Sequence, residues 1–147
     1  MTAFDCLNPK TKLLEHYFLE ASAGTGKTFA IEHLVVRMLL NQVPLSEILI
    51  VTFTRAATRE LKSRVYQTIA KCLSQLKHDK EDAFPYIQEI KEEDRRLSRR
   101  LLEEGYALFE KAEIFTIHGF CHRMLQEYPF EAKVGFELTN EEDNSYL

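Results

Sequence analysis

The chain has 147 residues, of which 45% are hydrophobic and 29% charged, and its net charge is −4. That length suits one compact domain with a sizeable core, and the composition excludes a disordered or fibrous chain. An acidic balance excludes a surface that coats DNA as a whole, while leaving room for a local basic patch.

The opening MTAFDCLNPKTK lacks a basic segment followed by an apolar one, so no signal peptide is expected. A short run, Tyr17-Phe18-Leu19-Glu20, reads as a strand leading into the small-residue stretch Ala21 to Gly26. Apolar residues then recur at Phe29, Ile31, Leu34, Val35, Met38 and Leu39, near the helical period, until Asn41 and Pro44 stop the helix. Residues 48–53 form a nearly all-apolar, β-branched strand of the type buried on both faces of a parallel sheet. A second helix is expected from about Thr54 through Leu61, Val65, Ile69 and Leu73. Asp79 to Asp82 reads as a charged loop, and Pro85 suits a first helical turn. The pattern then stays helical and heavily charged to about Ala112. Residues 114–117 form a third strand, followed by a helix from about Gly119 to Tyr128. The order points to an α/β fold in which crossover helices link parallel strands. The longest apolar runs are far too short to cross a bilayer, so no membrane partner is expected. Cys6, Cys72 and Cys121 form no CxxC pair and read as reduced thiols of a cytoplasmic protein.

Ala21-Ser22-Ala23-Gly24-Thr25-Gly26-Lys27-Thr28 fits the phosphate-loop pattern, with Ala in place of the first Gly. Gly24 and Gly26 allow positive φ and a close approach of backbone to anion. Successive N–H groups then converge on phosphate at a helix start, where the dipole adds attraction. In such a loop Lys27 reaches the β- and γ-phosphates of a nucleoside triphosphate, and the Thr28 hydroxyl is the candidate Mg²⁺ ligand. These two are the candidate catalytic residues. A complete ATPase of this kind also needs a carboxylate at a strand end to hold the metal and orient water. Thr54 follows one strand and His118 another, and Glu137 is a weak candidate in a poor context.

Three ordered blocks together resemble the UvrD-like, superfamily 1 DNA helicases. Residues 20–29 resemble motif I, residues 52–61 (TFTRAATREL) motif Ia, and residues 116–121 (TIHGFC) motif Ib. Within that family the wording is closest to the RecB type, with the AddA type the nearest competitor. The resemblance spans roughly Leu19 to Glu137. It implies an incomplete RecA-like phosphate-loop sheet, with core at 17–70 and 113–130 and a charged helical insertion at about 71–112. It also implies ATP and Mg²⁺ as cofactors, single-stranded and duplex DNA as partners, and the other subunits of a RecBCD-like helicase–exonuclease complex acting in double-strand break repair and recombination. Carried over residue by residue, Thr52, Phe53, Thr54, Arg55, Thr116, His118 and Phe120 would lie along single-stranded DNA. Hydroxyls and amides at strand ends suit phosphates, and rings suit bases.

The later helicase motifs and the nuclease metal site have no counterpart, so the chain reads as the N-terminal fragment of a longer enzyme, weak or inactive in turnover on its own. The glutamine that often reads adenine in this family is absent from residues 7–18. Between Thr54 and Val65, Arg55, Arg59, Lys62 and Arg64 stand against Glu60, a local basic edge. The stretch Lys91 to Glu104 balances five basic residues with five acidic ones and reads as a solvated helix with i,i+4 pairs. His118, Cys121 and His122 could share a helix face, but no fourth ligand is in view and zinc is not assigned. Two alternatives stay open: a small phosphate-loop kinase or switch, and a catalytically inert nucleotide- or DNA-binding module.

Overall fold

The computed structural model describes residues 4–20, 24, 26–78 and 82–129. Its elements in chain order are α1 (Lys27–Leu40), a 3₁₀ turn (Leu45–Glu47), β1 (Leu49–Thr52), α2 (Arg55–His78), the short α3 (Pro85–Gln88), α4 (Glu92–Ala107), a second 3₁₀ turn (Phe109–Lys111), β2 (Glu113–Thr116) and α5 (Ile117–Glu127). The two strands pair in parallel, Leu49 beside Glu113 and Thr52 beside Thr116, with α2 to α4 forming the crossover. The chain is thus a mixed α/β fold around a small parallel sheet.

Each element has a local reason. α1 ends at Asn41 because Gln42 takes a left-handed conformation (φ 65°) and Val43 N–H returns to the Met38 carbonyl, a closure that satisfies helix-end carbonyls before Pro44. Thr54 accepts from Ala57 N–H at 3.1 Å and so caps α2, and Pro85 sits in the first turn of α3. On α4, Arg99 bonds Glu103 at 2.8 Å, the i,i+4 pairing expected of a solvated helix.

The core lies between the helices and one face of the sheet. Val36, Val65, Ile69, Cys72 and Leu102 are fully enclosed, with Ile114 reaching them from β2. At about 1.5–3 kcal/mol for each large apolar side chain removed from water, this cluster dominates the stability.

Three sequence expectations are corrected here. Residues 17–20 join no ladder among the described residues: the Tyr17 hydroxyl donates to the Lys12 carbonyl, its ring edges Phe4, and Phe18 stays 91% exposed. Local contacts with residues 4–12 hold this segment in place of a strand neighbour. β1 is not buried on both faces, since Leu49 and Val51 point outward while Ile50 packs on the core. The buried face of α1 is rotated from the apolar pattern. Phe29 and Ile31 are partly exposed, whereas Glu32, His33 and Arg37 are buried beside Val35, Val36 and Leu39. The charged loop expected at Asp79 to Asp82 falls mostly outside the described residues.

Those three polar residues are buried because each is partnered. Glu32 accepts from Arg64 of α2 at 3.2 and 3.3 Å. Arg37 donates to the carbonyls of Cys6, Pro9 and Thr11, pinning the N-terminal segment to α1. His33 Nδ1 lies 2.7 Å from the Tyr86 hydroxyl, itself 3.4 Å from Cys72 Sγ, between the rings of Phe29 and Phe84. Burial, with Lys71 nearby, pulls His33 down to about 4, so the imidazole is neutral and accepts the tyrosine proton. Burial likewise pushes the Cys72 thiol up to about 11 and keeps it protonated.

Two expectations follow from this packing. Ile69→Ala should cost about 3 kcal/mol by leaving a cavity among helices, whereas Leu97→Ala, at an exposed site on α4, should stay within about 0.5 kcal/mol, both read from urea unfolding. His33 has its folded value below the ordinary 6.5, so the unfolded chain takes the proton first. Stability should therefore fall as pH drops from about 6.5 towards 4 and level off below. The difference should reach about 3 kcal/mol and vanish in His33→Gln, whose side chain still accepts from Tyr86.

Candidate nucleotide and nucleic-acid site

Gly26 precedes α1 with φ 91° and Gly24 stands at φ 79°, both in the left-handed region that glycine alone occupies without strain. A Cβ at either position would meet nothing within 4 Å, so the backbone lies open where an anion would approach. Ala30 N–H bonds the Gly26 carbonyl at 2.8 Å, which starts the helix immediately after the turn. The first turn of α1 has neither a capping side chain nor an acidic residue, leaving its dipole uncompensated by local carboxylates. Lys27 is exposed and Thr28 half-buried at this end. Ala21, Ser22, Ala23 and Thr25, the other expected nucleotide ligands, lie outside the described residues. The residues present fit a phosphate group with a bound divalent cation: backbone N–H donors, one lysine and one hydroxyl.

The parallel register brings the two other motif blocks to one edge. Because Thr52 pairs with Thr116, the segments Phe53–Arg55 and Ile117–Phe120 leave the carboxyl ends of adjacent strands side by side. Ligands of open α/β sheets bind at this end. α2 and α5 both begin here, so two helix amino termini face the same region.

The seven predicted DNA-contact residues divide by chemistry. Thr52 is engaged internally: its hydroxyl lies 2.6 Å from that of Thr58, which also reaches the Thr54 carbonyl at 3.1 Å. Thr54 and Thr116 each accept a backbone N–H, from Ala57 and from Gly119 at 3.0 Å, as helix caps. Their hydroxyl protons remain available to an outside acceptor. Gly119 is small for a reason, since a Cβ there would come within 3.1 Å of Thr116 Oγ1. Phe53 is 87% exposed, which rules out a core role for that ring, and Arg55 and His118 are exposed beside it. Phe120 is half-buried on α5.

The local basic edge on α2 is smaller than the sequence suggests. Arg64 is drawn to Glu32 and to Glu60 at 3.5 Å on the far side of the helix, leaving Arg55, Arg59 and Lys62. On β2, Glu113 pairs with Arg123 of α5, whose guanidinium also lies over the Phe115 ring and so fixes α5 against the sheet. Sequence reading missed the Glu32–Arg64 and His33–Tyr86 links that orient α1. Their one signal was the presence of charged residues within an otherwise apolar helix. Glu137, the weak carboxylate candidate, lies outside the described residues, and neither described strand ends in a carboxylate.

Among the described residues, no helix is long and apolar enough to cross a membrane. The chain matches the UvrD/REP helicase N-terminal domain over residues 5–147. It is similar to the RecBCD enzyme subunit RecB of Chlamydia trachomatis, 40% identical over 134 residues that cover 87% of this chain and 13% of that protein. The RecB subunit of Escherichia coli K12 is 37% identical over 139 residues, covering 88% of this chain and 12% of that protein. That of Haemophilus influenzae is 38% identical over 163 aligned residues, covering 96% and 13%. The chain therefore spans about an eighth of the length of these relatives. With the glycine turn opening α1 and two motif blocks meeting at one sheet edge, this match shows that the chain belongs to the UvrD/REP helicase family, through its N-terminal, phosphate-loop domain.

Proposed function

We propose that this chain is the nucleotide-binding opening part of a RecB-type ATP-dependent DNA helicase and exonuclease, a cytoplasmic enzyme acting on DNA ends with partner subunits. The observation that carries the reading is the left-handed Gly24 and Gly26 pair running directly into α1, with Lys27 and Thr28 in its first turn. In this reading 17–70 and 113–130 are the phosphate-loop core and about 71–112 is a helical insertion.

The residues at 21–28 bind the triphosphate of ATP. Their N–H groups donate to the β-phosphate, Lys27 neutralises the β- and γ-phosphates, and Thr28 ligates Mg²⁺. A bound divalent cation, held by Thr28, would supply neutralisation of the phosphate charge. The Glu32–Arg64 and His33–Tyr86 links hold α1 still, so Lys27 and Thr28 in its first turn keep a fixed position.

Single-stranded DNA crosses the joint edge of β1 and β2. Thr54 and Thr116 donate their free hydroxyl protons to phosphate oxygens, Arg55 neutralises phosphate, and Phe53 and His118 stack on bases. Thr52 acts from behind by holding the turn at Thr58, and Phe120, half-buried on α5, lies along the same DNA strand. Neither described strand ends in a carboxylate, and in this reading the chain alone binds ATP and turns it over negligibly.

Titration with a fluorescent ATP analogue and Mg²⁺ tests this. Saturable binding is expected, weakened at least about 100-fold in Lys27→Ala, with phosphate release at background. Lysine-dependent turnover well above background would show a complete catalytic set and overturn the reading of an opening part. Equal binding by Lys27→Ala would remove the phosphate loop from the mechanism.

A further inference from the structure

The cations left over on α2 are not scattered. Arg55, Arg59, Lys62 and Tyr66 follow the spacing i, i+4, i+7, i+11, which returns to the same helical face each time. At about 1.5 Å per residue they form a straight line roughly 16 Å long, starting at the strand-end site and running away from it. Glu60 and Arg64 lie on the opposite side of the helix and neutralise one another. Among the described residues no carboxylate pairs with Arg55, Arg59 or Lys62, whereas Arg64, Arg95, Arg99 and Arg123 all have acidic partners.

The line ends in aromatic rings. Tyr66 stacks on Tyr106 of α4 with centroids 4.4 Å apart and planes 20° from parallel, and Phe109 meets Tyr66 edge-on at 5.1 Å. Both tyrosines keep over a third of their surface exposed. Glu110 follows Phe109 in the chain, and the end of the line is formed by rings and not by cations, so it suits the uncharged face of a base. Cations spaced along a line, Arg55 and Arg59 exposed and Lys62 half-buried, with a stacking platform at its end, are the chemistry that holds a single strand without reading its sequence.

We infer that the α2 face is a second stretch of the single-strand path: Arg55, Arg59 and Lys62 track the phosphates of DNA leaving the strand-end site, and the Tyr66–Tyr106 pair stacks a base at the far end. The inference rests on the strand-end reading for where the DNA enters. Its occupant is single-stranded DNA, because three cations in a line with an aromatic terminus match a flexible polyanion with accessible base faces. Duplex DNA buries those faces.

Fluorescence anisotropy with labelled oligothymidylates of about 4 and about 12 nucleotides tests it, using the full chain. The shorter strand fits the strand-end site alone. Arg59→Gln combined with Lys62→Gln, both at sites outside the core, should weaken binding of the longer strand about tenfold. It should also make the salt dependence shallower by about 1.4 in log–log slope, and leave the shorter strand unchanged. Tyr106→Ala should weaken the longer strand at least about fivefold, with Tyr106→Phe restoring it, since the phenyl ring keeps the stacking face. Unchanged affinity of the longer strand in the Arg59/Lys62 variant would overturn the α2 path. Phe53→Ala with His118→Ala should weaken both lengths. If it changes neither while the α2 variant still weakens the longer strand, the strand-end reading fails and the entry point fails with it. A longer duplex competing as well as the longer single strand would overturn the choice of ligand.

Discussion

The parallel pairing of Leu49–Thr52 with Glu113–Thr116 is the constraint on which the rest of the site depends. It closes a loop containing α2, α3 and α4, residues 53–112, and so brings together two segments that are remote in sequence. Two four-residue strands cannot hold themselves together in water. The closure is stabilised by the helices, whose apolar faces meet Ile50 and Ile114 on one side of the sheet. Loop-closure entropy rises only slowly with length, so a crossover of this size is tolerable once its helices contribute a core. The ladder thus determines where Thr54 and Thr116 sit, and the core of Val65, Ile69 and Leu102 determines whether they stay there.

The second dependency runs through α1. A phosphate loop is useful only if the helix behind it is fixed, and α1 is fixed largely by polar groups. Glu32, His33 and Arg37 are buried, and each is satisfied by a different part of the chain: α2, the Tyr86–Cys72 pair, and the N-terminal carbonyls. Hydrogen bonds of defined geometry specify rotation of a helix more sharply than apolar contact does, because an imidazole shifted by one rotamer loses its partner entirely. The cost is sensitivity to acid, since His33 is buried in neutral form.

This division explains what the sequence disclosed. The helices were legible because period-3.6 apolar spacing survives as burial in α2, where Leu61, Val65, Ile69, Leu73 and Leu76 are all enclosed. The phosphate-loop turn was legible because only glycine tolerates φ near 80–90° at positions 24 and 26. The face of α1 was misjudged because a hydrophobicity pattern scores Glu32, His33 and Arg37 as outward, and their partners lie 26 to 53 positions away in sequence. The strand expected at residues 17–20 failed for a related reason: an apolar run becomes a strand only when a ladder edge is there to receive it. The single-strand contact residues were named from resemblance. Their division into caps, internal links and exposed rings is set by the folded backbone, which brings Thr54 to Ala57 and Thr116 to Gly119.

Electrostatics gives the same lesson at the scale of the whole chain. A net charge of −4 argues against binding a polyanion only if charge is spread evenly, and here it is sorted. On α4 and α5, Arg95, Arg99 and Arg123 pair with carboxylates at i,i+3 and i,i+4, and those fields cancel within a few ångströms. Arg64, the most constrained cation of α2, is drawn across to the buried Glu32. Among the described residues the face bearing Arg55, Arg59 and Lys62 has no carboxylate partner, and it runs in line with the sheet edge. A strand of DNA approaching at the Debye distance of about 8 Å senses local charge more than the total. Removal of Glu32 should therefore act twice. It would loosen α1, and it would free Arg64 to spread positive charge to the side of α2 opposite the line, weakening the definition of the path without removing a single contact on it.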